Sequence, residues 1–197
     1  LRSRGLGDVY KRQDEMKDKE LSELVKRIGL VEGMPVVTNP GIIDPEKFAD
    51  EVINVRIPNP FMPDTPQRIA TDTSQKVGIR YGETIKSYVA KDGSARALTA
   101  IPLAIAGWCR YLLGIDDNGE AFELSPDPMA DELKCQLDGI VWGESSSYTG
   151  QLKNLLSNAN IFGINLYEAG IGDKIEEMFV EEIAGKDAVR NTLKKYL

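Results

Sequence analysis

Two basic side chains in one polar stretch, Arg68 and Lys76, have the spacing and chemistry to hold an anion or a polyol. They lie in NPFMPDTPQRIATDTSQK, which runs from Asn59 to Lys76, with Asp72 midway between them. Asp64 followed by Gln67 fits a capping box, and Pro66 suits a first turn because its missing N–H costs nothing there. The spacing therefore predicts a helix starting within the stretch. Arg68 falls in its first turn, where a cation meets the positive end of the helix dipole unless an anion sits nearby. In an unbroken helix Arg68, Asp72 and Lys76 share one face at i, i+4 and i+8. Two explanations are open from spacing alone. One is an exposed Arg–Asp–Lys ladder, each pair worth about 0.3–0.5 kcal/mol. The other is a guanidinium fork plus a point charge that engages a carboxylate or sugar hydroxyls. Asn59, Asp64, Asp72 and Ser74 lie beside the two bases, but capping and turn formation account for each equally well.

Other chemistries fail on residue type. With no histidine in the chain, the Ser145–Ser147 triplet has no imidazole base for nucleophilic catalysis. Cys109 and Cys135 make no CxxC pair, so the usual zinc spacings cannot be assembled, and no metal is expected. The run Asp116, Asp117, Asn118, Gly119, Glu120 lacks the sixth-position glycine and terminal glutamate of a calcium loop, which leaves a solvated turn. Gly170 and Gly172 precede a helix but follow no strand and lack a third glycine, and Gly5 and Gly7 sit in an atypical leader. No dinucleotide cradle is expected in this chain.

The elements that must position Arg68 and Lys76 read as mainly α. Leu21, Leu24, Val25 and Ile28 recur at helical spacing before Gly29, a C-terminal stop. Asp44 and Pro45 open a helix whose apolar side is Phe48, Val52, Ile53 and Val55. Tyr81, Ile85, Tyr88 and Val89 form a stripe. Leu98, Ile101, Ile105, Trp108 and Leu112 mark a helix apolar nearly all round, the expected central core helix. Ser125 or Asp127 is placed to cap a helix carrying Met129, Leu133 and Leu137. The last third predicts a short helix over Leu152 to Leu156 and a long one from about Asp173, interrupted near Gly185. There is no internal repeat and no β-α-β alternation.

With 42% hydrophobic and 28% charged residues in 197, the chain has the composition of an ordinary folded domain. A net charge of −7 without an extended basic run excludes a footprint for nucleic acid or an anionic membrane. The longest apolar run, Ala100 to Cys109, is about half the ~20 residues that span a bilayer. Two isolated cysteines, read as buried small apolar residues, suit a reducing cytoplasm. Residues 1–13, LRSRGLGDVYKRQ, carry four basic side chains against one acid and read as a non-native leader, leaving 14–197 as one helical domain.

As a string, NPFMPDTPQRIATDTSQKVGIRYGETIKSY resembles the signature of the mannitol dehydrogenase family, and more closely its fructuronate reductase (mannonate oxidoreductase) members. PVVTNPGIIDPEKFADEVINVR, LSPDPMADEL and FGINLYEAGIGDKIEEMFVEEIAGKDAVRNTLKKYL resemble the same enzymes in the same order, so the likeness covers about Asp14 to Leu197. The resemblance implies a two-domain dehydrogenase with an N-terminal Rossmann-like domain for NAD, a mostly helical C-terminal domain, and substrate bound in the cleft between them. This chain corresponds to most of the second domain. It also implies metal-free catalysis by a Lys/Asn/His motif upstream of Asp14, so that the chain alone holds no catalytic residue. Carried over by position, Arg68 and Lys76 match the family's substrate-contacting bases. The implied partner is a small sugar acid or polyol, with fructuronate and mannonate first and tagaturonate, mannitol or fructose as alternatives. A free-standing helical binding or assembly module is the alternative of a different class.

Overall fold

The computed structural model describes residues 16–39, 41–59 and 66–197, and the 1–13 leader lies outside them. Among the described residues the architecture is helical, and β structure is confined to two isolated bridges, Ile115 with Ala121 and Val141 with Glu144.

The first helix, α1 (Lys19–Lys26), starts where Asp18 accepts the N–H groups of Glu20 and Leu21, each at 3.1 Å. It does not stop at Gly29. The chain continues as a π-helical segment, Arg27–Gly33, in which a Cβ on Gly29 would lie 2.7 Å from Ile53 Cδ1. The glycine serves close packing rather than termination. Asp44 caps α2 (Pro45–Glu51) through Glu46 and Lys47, as its sequence predicts. A second π-helical segment, Val52–Arg56, follows directly. Its wider turn takes the side chains out of the 3.6-residue register. Ile53 is buried, whereas Phe48 and Val55, expected on the same apolar side, are 47% and 60% exposed.

Next come α3 (Pro66–Ile69) and α4 (Thr73–Val77), then a third π-helical segment, Gly78–Gly82, which runs into α5 (Glu83–Asp92). A Cβ on Gly78 would lie 1.7 Å from the Ile161 carbonyl oxygen, and one on Gly82 2.2 Å from that of Phe162. Two glycines one turn apart thus let this segment rest on the backbone of a later helix. No other residue fits there.

The central helix is α6 (Ala100–Leu112), with Ile101, Leu103, Ile105, Trp108, Cys109 and Leu112 buried. Burying each Ile or Leu contributes on the order of 2 kcal/mol. Its three leading N–H groups are taken by a buried side chain from the first π-helical segment. Glu32 Oε1 accepts from Thr99 and Ala100, both at 2.6 Å, and Oε2 accepts from Ile101 at 2.8 Å. A carboxylate at that end also complements the helix dipole.

The remaining helices are α7 (Ala130–Cys135), α8 (Lys153–Leu156), α9 (Ala159–Phe162), α10 (Gly172–Glu182) and α11 (Ala188–Tyr196). The largest helix–helix packing joins α6 to α10, and Trp108 meets Phe162 edge-on at 6.0 Å. Gly185, at φ +123°, makes the expected break between α10 and α11. Arg190 on α11 binds Asp18 and Glu20, and Arg27 binds both Glu23 and the Leu197 carbonyl, so the first and last helices are tied together. Cys109 is buried as expected, but Cys135 is exposed on the last turn of its short helix. No helix among the described residues is long and apolar enough to cross a membrane.

Candidate substrate-side site

The helix predicted through Arg68 and Lys76 is broken between them. Asp72 adopts the left-handed conformation, φ 54° and ψ 37°, and its N–H is taken at 2.9 Å by the Pro126 carbonyl instead of a helical partner. A non-glycine residue reaches that region most readily when it is Asn or Asp. The break removes the i, i+4 ladder. Arg68 does stand in the first turn of α3, but a four-residue helix has only one turn, so the residue is equally at the C-terminal end. The dipole argument for an unfavourably placed cation therefore lapses. The capping box of Asp64 and Gln67 falls outside the described side chains.

Lys76 responds to the break. Its ammonium donates to the carbonyls of Thr71 at 2.5 Å and Ile69 at 3.3 Å, capping the C-terminal end of α3 from the following helix. No ion pair joins it to Asp72 among the described residues. Lysine has three donors, and two are engaged here, on the carbonyl of the residue that follows Arg68 and on that of Thr71. The turn thus brings Lys76 back onto the segment carrying Arg68, which is exposed. A half-buried ammonium and an exposed guanidinium on one folded-back turn can address two groups of a small anionic ligand.

The turn is held from a distance. Ser74 is buried, its hydroxyl donates to Asp127 Oδ1 at 2.5 Å, and its N–H donates to Asp127 Oδ2 at 2.8 Å. Thr73 Oγ1 reaches the same Oδ2 at 3.3 Å, and the Met129 N–H reaches Oδ1 at 3.0 Å. Burial works against ionisation of this carboxyl, but the hydrogen bonds from Ser74, Met129 and Thr73 outweigh it and hold it below the ordinary carboxylate range. Ser125 or Asp127 is expected to cap the helix carrying Met129, but that helix starts at Ala130 without a side-chain cap, and Asp127 accepts from the Met129 N–H just ahead of it. Its second role, across to Ser74, had no local signal.

The other sequence-level candidates have structural explanations. The Asp116 carboxylate is buried and closes its own turn by accepting from the N–H groups of Asn118 at 2.8 Å and Glu120 at 2.9 Å. The serine triplet is a short 3-10 turn in which Ser145 donates to the Val180 carbonyl and Ser147 to that of Glu144. A Cβ on Gly172 would lie 2.4 Å from the Tyr167 ring, and Asp173 adds a negative charge to the first turn of α10. A carboxylate in that first turn works against an anion there.

The helical architecture recurs in known proteins. Residues 5–184 match the mannitol dehydrogenase C-terminal domain family. The chain is 55% identical to a D-mannonate oxidoreductase of Thermotoga maritima, over 92% of this chain and 34% of that protein. It is 33% identical to the D-mannonate oxidoreductase of Escherichia coli, over 52% of this chain and 20% of that one. The fold is that of Pseudomonas fluorescens mannitol 2-dehydrogenase, solved as a ternary complex with NAD and D-mannitol. The TM-score is 0.76 at 22% identity, covering 94% of this chain and 35% of that one. The chain thus spans about a third or less of the length of these relatives. The chain belongs to the mannitol dehydrogenase C-terminal domain family.

Proposed function

We propose that this chain is the substrate-side part of an NAD-dependent oxidoreductase that interconverts fructuronate and mannonate. The observation that carries the reading is the 55% identity to a D-mannonate oxidoreductase along nearly the whole chain. The folded-back turn supports it by bringing the Lys76 ammonium to the segment of Arg68. In this reading Arg68 pairs with the substrate carboxylate, whose two oxygens match a guanidinium fork, and Lys76 donates to neighbouring hydroxyls. Substrate positioning is then this chain's contribution to rate. NAD would be held by the remainder of the protein, together with the Lys/Asn/His motif that moves the proton, and no metal would take part.

The test is an assay of the complete enzyme with NADH and fructuronate, tagaturonate and fructose in parallel. Fructuronate should give the highest kcat/KM, and a preference for uncharged fructose would overturn the assignment. Arg68→Ala should lower kcat/KM for fructuronate by roughly a hundredfold, more than the ~1 kcal/mol of an exposed ion pair can explain. Unchanged kinetics would remove Arg68 from the site.

A further inference from the structure

The Asp72–Ser74 turn depends on a residue outside the signature stretch. Helix α4 has five residues, too few to hold together without tertiary support. Its leading N–H groups need an acceptor. Asp72, the residue at the capping position, gives none from its side chain because its left-handed backbone turns it away from that role. The missing acceptor arrives from 53 residues along the chain as the Asp127 carboxylate. Four hydrogen bonds join 72–74 to 126–127, namely Asp72 N–H to the Pro126 carbonyl, Thr73 Oγ1 and Ser74 N–H to Oδ2, and Ser74 Oγ to Oδ1. Lys76 follows Ser74 by two residues in the same short helix.

We propose that Asp127 is a positioning residue for substrate, fixing the start of α4 so that Lys76 presents its ammonium beside Arg68. Asp127 does not touch substrate and acts through Lys76 alone. Both acceptor oxygens are needed, because each serves one backbone N–H and one hydroxyl. An amide at 127 offers one acceptor oxygen and sets an N–H₂ group against a backbone N–H. The inference rests on the reading of Lys76 as a substrate contact.

The experiment is steady-state kinetics of the complete enzyme with fructuronate, for the unaltered protein, Asp127→Asn, Ser74→Ala, Lys76→Met, and Asp127→Asn and Ser74→Ala each combined with Lys76→Met. Asp127→Asn should raise KM about five- to tenfold with kcat within about twofold, the pattern of lost binding common to ground and transition states. In the Lys76→Met background the same change should add little, because the two residues act as one unit. An Asp127→Asn enzyme with unchanged KM, or one whose effect adds in full to that of Lys76→Met, overturns the positioning role while the substrate-site reading stands. An unchanged KM in Lys76→Met overturns both. Should Asp127→Asn fail to fold, Ser74→Ala removes a single Oγ–Oδ1 contact and faces the same comparison. A purely stabilising cap would lower the melting temperature of these variants and leave KM where it was.

Discussion

Glu32 and Ile101 are 69 residues apart in sequence, yet the Oε2 of the first accepts the N–H of the second at 2.8 Å at the mouth of the central helix. The same carboxylate also takes Thr99 and Ala100, so one buried side chain satisfies the donors that α6 would otherwise leave bare. Glu32→Ala should destabilise the chain by about 3 kcal/mol, the cost of several buried N–H groups losing a charged acceptor. Urea unfolding monitored by circular dichroism measures it. A loss under about 1 kcal/mol would mean that water replaces the carboxylate.

Gly78 makes a sharper prediction. Its α-carbon faces the Ile161 carbonyl so closely that any side chain must displace backbone, not a flexible side-chain tip. Gly78→Ala should cost about 3 kcal/mol despite alanine's better helix propensity. The matching substitution at Gly93, where a Cβ would meet nothing within 4 Å but φ is +75°, should cost about 1 kcal/mol through backbone strain alone. Comparing the two melting temperatures separates crowding from conformation.

Glu182 predicts a pH dependence. It is buried in α10, and burial pushes its carboxyl well above the ordinary range, against the opposing pull of the Arg110 charge. In the unfolded chain the group ionises near its ordinary value of about 4.3. Stability must then fall as pH rises through that value, because the unfolded state releases a proton that the folded state keeps. Glu182→Gln should lose this slope, gaining on the unaltered chain between pH 4 and pH 8. Thermal melts at the two pH values check it, and an equal difference at both would show that the folded carboxyl ionises normally.

Much of the scaffold was legible because its signals are local. Asp44 caps the helix that follows it, Ala100 to Cys109 is apolar enough to demand the centre, and Gly185 breaks the last helical run. Some of the differences come from helices that depart from 3.6 residues per turn. The π-helical turn after α2 shifts the register, so Val55 does not fall on the side of Ile53, and Gly29 lies inside a helix that runs on in π-helical form. Arg68 and Lys76 stand out in the sequence by type and by resemblance. The left-handed Asp72 does not, since it answers to a carbonyl at Pro126. Partners of that kind leave no trace in spacing.

The bonds between Ser74 and Asp127 also bear on how far the Asn59–Lys76 stretch can be treated as portable. A protein engineer who grafted it alone onto another helical scaffold would transplant Arg68 and Lys76 without the carboxylate that shapes the turn between them. The smallest unit worth moving is two separate segments, the second spanning Pro126 to Met129. By the same logic, a change at position 74 is best made together with one at 127.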